Sequence, residues 1–194
     1  MKKLSILILV VLFSIGTLNI FAAEPQTQDG SKAFYFVLNG LSDLSINNSS
    51  IGFQYLFQDK LGFLVELGFN SNNFKPYENA KEEKYNTYGV AAGLIYYAYQ
   101  KGPVAFYLSP ELGFSYGSEE KNNAKVTYTS FFGGVSLAAE WWAFENVSFG
   151  ATSFIGFKTE KEKNEAGSVS TEATTNSFGI LGNQNANLFI NFYF

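Results

Sequence analysis

The chain contains no histidine, no cysteine and no arginine. Without histidine there is no Ser-His triad, no Cys-His pair and no His-ligated metal site. Without cysteine there is no disulfide framework and no thiolate chemistry, and a lipidated amino-terminal cysteine is excluded as well. Ser-Lys and carboxylate-pair chemistry remain open on composition, but no spacing marks either, so a non-enzymatic protein with no cofactor or metal is expected. All thirteen basic residues are lysines, against seventeen acids. Two of those lysines lie in the first three residues, leaving eleven against seventeen beyond them. That net charge of −6 argues against nucleic acid as a partner and against a polybasic membrane patch. What is abundant is aromatic: 21 Phe and 12 Tyr beside a single Met. Such density suits strands and interfacial girdles rather than helices.

Only one long apolar run occurs. Met1-Lys2-Lys3 precedes Leu4 to Phe21, and Ala22-Ala23-Glu24 follows. A positive start, an apolar core and small residues at its end describe a secretory signal peptide. Cleavage after Ala22 is expected, giving residues 1–22 as signal peptide and 23–32 as a short periplasmic segment. A retained anchor is the competing reading, because the run is nearly long enough to span a bilayer as a helix.

From Ala33 to Phe194 the chain breaks into alternating segments with turn signals between them. The cleanest places Leu61, Phe63, Val65, Leu67 and Phe69 on one face and Gly62, Leu64, Glu66, Gly68 and Asn70 on the other. Period-two alternation of this kind is a strand apolar on one side. Eight such strands are predicted, beginning near Ala33, Ile51, Leu61, Thr87, Val104, Thr129, Val147 and Gly179. Pro110 predicts a bulge or bend in the fifth. The connections alternate too. Gln58–Asp59, Gln100–Pro103 and Ala143–Asn146 are short, whereas Ser71–Lys84, Gly117–Ala124 and Thr159–Asn176 are long and charged. One solidly apolar face against a face of Gly, Ser, Thr, Asn and Glu fits a lipid-facing band around a small-and-polar lumen. A soluble barrel has the opposite arrangement.

The last strand carries the family resemblance. Phe194, Phe192, Ile190 and Leu188 alternate with Tyr193, Asn191, Phe189 and Asn187. Asn187, Phe192 and Phe194 match the terminal signature of outer-membrane barrels, a polar residue followed at a distance by aromatic-x-aromatic, while Phe189 stands where Gly is usual. The chain therefore resembles the small OmpA-like and OmpX-like outer-membrane barrels. This resemblance implies an all-β, eight-stranded, antiparallel up-and-down transmembrane β-barrel in the cell outer membrane. It also implies recognition of the terminal strand by the barrel-assembly machinery, outer-membrane lipid as the surrounding partner, and a monomer.

Four charged residues fall on the predicted lumen face: Glu66, Glu111, Glu140 and Lys158. A filled lumen would join them in an internal plug of ion pairs and hydrogen bonds, and an open lumen would make them a cation-preferring path. Gly89, Ala91, Gly93, Gly113, Ser115, Gly150 and Gly156 leave room there, which Tyr97, Tyr107, Phe132 and Phe154 would fill. Trp141, Trp142, Tyr96, Tyr97, Tyr55 and Phe194 are expected to form an interfacial belt near the periplasmic ends. The expected function is structural or surface-interacting, with an extracellular ligand bound through the long loops. The alternatives are a narrow, porin-like passive channel and, behind it, a lipid-modifying enzyme.

Overall fold

The computed structural model describes residues 23–25, 27–38, 49–74, 83–121, 124–166, 169–181 and 187–194. The signal-peptide expectation, the 39–41 end of the first strand and the 75–82 part of the first long connection lie outside them. The described residues form nine strand segments: β1 (Lys32–Leu38), β2 (Ser49–Gln58), β3 (Leu61–Phe74), β4 (Glu83–Lys101), β5 (Val104–Lys121), β6 (Ala124–Phe144), β7 (Val147–Ala166), β8 (Val169–Leu181) and β9 (Asn187–Tyr193).

Each strand pairs antiparallel with the next from β1 through β7, and β9 joins β7 to β1, so the sheet closes. Nine segments occupy eight positions. Val147–Thr152 of β7 pairs with β9, and Phe154–Ala166 of the same strand pairs with β8. The eighth barrel position is thus one strand in two pieces. Thr152 lies opposite Asn187 and Phe154 opposite Leu181, so the two pieces meet at Ser153 of β7.

Alternation puts Ala33, Tyr35 and Val37 of β1 inside and Phe34 and Phe36 outside, which settles the register of a strand apolar on both faces. Across the wall the outward residues line up in rungs. Val65, Ala92, Leu112 and Gly133 share one rung, and Val90, Phe114 and Phe131 form the next above it. The band ends upward at Tyr88, Tyr116 and Thr129. From Phe106 to Tyr116 is about 34 Å along the strand, or about 26 Å vertically at the tilt of about 40° that a small barrel adopts. That matches the ~25 Å apolar band of a membrane barrel. Leu67, Phe69, Val90, Leu94, Leu112 and Phe178 are all more than 40% exposed on this surface. No described helix is long and apolar enough to cross a membrane, which says nothing about crossing by strands. A closed sheet with an apolar exterior and every strand paired is the arrangement that lets β-structure span a bilayer. This is a transmembrane β-barrel.

Two expectations change. Pro110 causes no bulge: Gly93 opposite Glu111, Tyr96 opposite Leu108 and Pro110 opposite Val135 keep one register. The register shifts instead at Leu56/Gln58, Tyr97/Tyr99 and Trp142/Phe144, all near the short-turn end. The charged stretches Gly117–Ala124 and Thr159–Asn176 are largely strand rather than loop. β5 and β6 pair as far as Lys121 opposite Ala124, and β7 and β8 as far as Ala166 opposite Val169. Their Lys and Glu alternate on two water-facing surfaces, so charge density marks an extended hairpin there.

If this exterior faces lipid, Val65→Arg and Leu112→Arg, on one mid-band rung, should each lower stability by about 2–4 kcal/mol in bilayer refolding titrations. Ala91→Arg, which points inward opposite Glu66, should cost less. Equal losses at all three positions would contradict the face assignment.

Candidate functional site

The lumen has three tiers, and they differ in packing. At the short-turn end Ile95, Tyr97, Ala105, Tyr107, Trp142 and Tyr193 are buried and form a floor. Their rings meet in series: Tyr97 and Tyr107 at 5.2 Å, Tyr97 and Trp142 at 6.2 Å, Trp142 and Tyr193 at 5.7 Å. Tyr97 and Trp142 therefore belong to the floor and not to the expected belt. Trp141, Tyr96, Tyr55 and Phe194 do lie on the outer surface near that end, where Phe194 stacks on Phe34 at 5.3 Å. Phe192 packs edge-on against Phe36, so two of the three expected assembly-signal residues seam β9 to β1. Asn187, the third, begins β9 opposite Thr152.

Glu140 sits in the middle of the floor, 1% exposed. Its Oε1 accepts hydrogen bonds from the Tyr193 hydroxyl at 2.7 Å, from Asn191 Nδ2 at 2.6 Å and from Ser148 Oγ. Tyr97 donates to Oε2 at 2.7 Å. Four donors from β4, β7 and β9 thus converge on one carboxyl group of β6. A buried carboxyl group is costly unless it is hydrogen-bonded, and here one side chain ties four strands together across the lumen.

The short-turn end is closed a second time from below. Ala23 N donates to Trp142 O at 3.3 Å, Lys60 N to Thr27 O at 3.0 Å, and Gly30 N to Leu56 O at 2.8 Å. The Thr27 hydroxyl donates to Gln100 Oε1 at 2.7 Å. Residues 23–25 and 27–31 therefore lie across this end as a strap, with Pro25 and Thr27 buried.

The middle tier holds Glu66 and Glu111, one rung apart on either side of β4, where Ala91 lies opposite Glu66 and Gly93 opposite Glu111. Tyr35 donates its hydroxyl to Glu66 Oε2. Ser136 and Ser109 lie beside the Glu111 carboxyl, and Tyr107 is near enough to act electrostatically on all three acids. Lys158 is not part of this group. It pairs at 2.7 Å with Glu160 on its own strand, and Ser130 also donates to Glu160, at 2.9 Å. The four charged residues picked out by alternation are thus divided: Glu140 in the floor, Glu66 and Glu111 above it, Lys158 at the rim.

Aromatic rings lie over lumen glycines across the ladder: Tyr35 over Gly52, Phe132 over Gly113 and Phe189 over Gly150. A Cβ at any of the three would collide with the ring, so glycine is needed for close approach. The small residues do not leave these levels empty, because the neighbouring strand's ring occupies the space. Phe132 was readable as a filler in the sequence. Phe189, Asn191 and Tyr193 were not singled out as lumen residues, although alternation in the last strand puts them on its more polar face; Tyr35 could not be placed, because its strand is apolar on both faces.

Beyond the upper rung of tyrosines, β4 to β8 continue as a wall standing clear of the membrane. From Thr129 opposite Lys161 the β6–β7 pairing runs five more positions, to Ala124 opposite Ala166, about 17 Å along the strand. Lys84, Glu120, Lys125 and Glu165 face one another in sequence across four strands of its outer surface. Lys163 pairs with Glu165 at 2.6 Å, which holds the carboxyl below its ordinary range and the ammonium above its own. β8 pairs with β7 alone among the described residues, and residues 169–178 of it are exposed.

A polar, partly filled lumen inside an apolar exterior, with short turns at one end and tall hairpins at the other, defines an outer-membrane β-barrel. No protein-family model matches the chain, and no curated protein matches it by sequence. Among solved structures it is similar to the N-terminal β-barrel domain of Pseudomonas aeruginosa OprF, at 12% identity and a TM-score of 0.44, covering 87% of this chain and 100% of that one. It is also similar to Ail, the attachment invasion locus protein of Yersinia pestis, at 12% identity and a TM-score of 0.46, covering 86% and 100%. A major outer membrane protein of Thermus thermophilus matches at 12% identity and a TM-score of 0.44, covering 85% and 98%. Likeness at this level transfers no binding property to this chain.

Glu140→Leu should strand the Tyr97, Tyr193, Ser148 and Asn191 donors, at about 1–3 kcal/mol for each donor left without an acceptor. Glu140→Gln, which keeps a carbonyl acceptor, should lose much less. Urea unfolding of the refolded barrel measures both, and equal losses would contradict the role given to the carboxyl group. Gly113→Val should lower stability by about 1–3 kcal/mol through overpacking against Phe132.

Proposed function

We propose that this chain is a surface-interaction barrel: the membrane-spanning part is a rigid pedestal, and the extracellular wall is the working part. The observation that carries this reading is the β8 edge. Edge strands are ordinarily blunted by proline, lysine or an inward charge. β8, with the sequence VSTEATTNSFGIL, contains one charged residue, Glu172, and no proline or lysine. Its outer N–H and C=O groups, unpaired among the described residues, offer an extended peptide a template for strand addition, the mode in which main-chain bonds give affinity and alternate side chains give specificity.

Membrane topology restricts the partner. Antiparallel pairing of β8 with β8 of a second copy needs a twofold axis perpendicular to the strand, which would invert one barrel relative to the other. Two copies in one membrane share an orientation, so the reading favours an extended segment of another molecule outside the cell. The channel alternative gains no support from a floor of buried aromatic rings.

Peptides selected from a displayed library of random ten-residue sequences against the refolded barrel test this. Enriched peptides should bind the wild type and lose at least about tenfold in affinity for a Thr171→Pro/Thr175→Pro variant, because proline removes ladder donors. Mobility of the unheated protein on gels checks that the variant is folded. No enrichment, or equal binding to a folded variant, would contradict the reading.

A further inference from the structure

The strap across the short-turn mouth follows a path that its own sequence fixes. Ser31 N donates to Gln28 O at 3.1 Å, closing a turn whose third residue, Gly30, has a φ of 85°. The third position of a type II turn needs that value, and a residue without a Cβ adopts it freely. The turn carries the chain off the foot of β1 and under the mouth. Pro25 then holds Glu24 extended, with Pro25 and Thr27 buried and Glu24 exposed. At the far end Ala23 packs against the buried cluster that contains Trp142.

The strap meets the barrel where the barrel's own ladder is interrupted. The register shifts at Leu56/Gln58, Tyr97/Tyr99 and Trp142/Phe144, and a bulge leaves its extra residue unpaired. Leu56 gives its N–H to Ser31 O at 2.9 Å and accepts from Gly30 N at 2.8 Å. The Thr27 hydroxyl reaches Gln100, next to the second shift, and Ala23 N reaches Trp142 O, at the third. Lys60 is held at a φ of 65°, uncommon for a residue with a Cβ. Its N–H serves Thr27 O at 3.0 Å while its C=O serves Tyr97 N at 2.9 Å. The strap thus crosses from β1 to β6, and it ends on one nitrogen.

That nitrogen decides what the strap can do. Cleavage after Ala22 makes Ala23 the first residue and turns its N–H into an ammonium group. A hydrogen bond from a charged donor is roughly twice as strong as one from a neutral donor. The ammonium group also brings positive charge to a floor whose Glu140 carboxyl group has only Tyr, Ser and Asn donors. In the uncleaved chain the same nitrogen is bonded to Ala22, and the apolar run from Leu4 to Phe21 behind it belongs in a bilayer rather than in a barrel mouth. We propose that cleavage after Ala22 creates a latch: the Ala23 ammonium group seats on the Trp142 carbonyl and locks residues 23–31 across the mouth as a lid that the uncleaved chain cannot close. The latch lies at the opposite end of the barrel from the β8 edge and does not depend on it.

Two readouts on refolded chains test this. In the chain beginning at Ala23, an amine-acylating ester should modify the α-amino group at least about tenfold more slowly than in urea, because a docked group reacts only when the strap opens. Hydrogen exchange at the Lys60 amide, which donates to Thr27 O, reads the strap itself. It should be at least about tenfold faster in the full chain that retains residues 1–22, and in Gly30→Val, whose side chain disfavours the turn. Mobility of the unheated proteins on gels shows that each barrel is folded. If Gly30→Val does not fold, Gly30→Ala replaces it. Equal acylation in folded and unfolded protein would overturn the proposal, by leaving the amino terminus free. Lys60 exchange as slow in the full chain as in the cleaved one would also overturn it, by showing that the lid closes without cleavage.

Discussion

In hydrocarbon, a backbone N–H or C=O has no water to turn to, and leaving one unpaired costs several kcal/mol. The rest of this structure depends on that constraint. It forces the sheet to close, which here means that β9 must reach both β1 and β7. Closure in turn fixes which side of every strand meets lipid, and alternation hands the opposite side to a narrow interior. Above the membrane the constraint lapses, and there the sheet stops being a ring. β8 has one partner among the described residues, and the wall of β4 to β8 stands in water on both faces.

The interior faces a second problem, because an eight-stranded ring encloses too little room for water everywhere and too much for small residues alone. The chain solves it differently at each depth. Near the short turns, aromatic rings interlock and a single carboxyl group gathers four donors. Higher up, rings from one strand lie on glycines of the next. Above Glu66 the first inward rung is Gly68, Gly89, Ser115 and Ser130, and the next brings Asn70, Thr87, Gly117 and Tyr128. The same alternation that builds a membrane barrel thus also builds its stopper.

Much of this was legible in the sequence. The Leu61–Asn70 pattern assigns faces without ambiguity, and Glu66, Glu111 and Glu140 fall inside by counting in twos. The remainder was not local information. Whether Glu140 meets Lys158 or four neutral donors depends on register between strands far apart in sequence, and β-bulges at Tyr97/Tyr99 and Trp142/Phe144 move residues near the turns off a simple count. The aromatic belt was over-extended for a related reason: a Tyr or Trp at a strand end looks the same whether it faces headgroups or lumen. The stretch from Thr159 to Asn176 reads as loop because Lys, Glu, Ser and Thr dominate it, yet in a hairpin with water on both sides those residues are compatible with strand.

The lumen is closed at the floor formed by Tyr97, Trp142, Tyr193 and the Glu140 node. Conductance of the refolded chain in a planar bilayer tests it most directly. A folded, inserted barrel that passes no current in salt of either cation valence is the expected result. Steady cation-selective openings that weaken when Glu66, Glu111 and Glu140 become Gln would contradict it, and would make this protein a narrow channel.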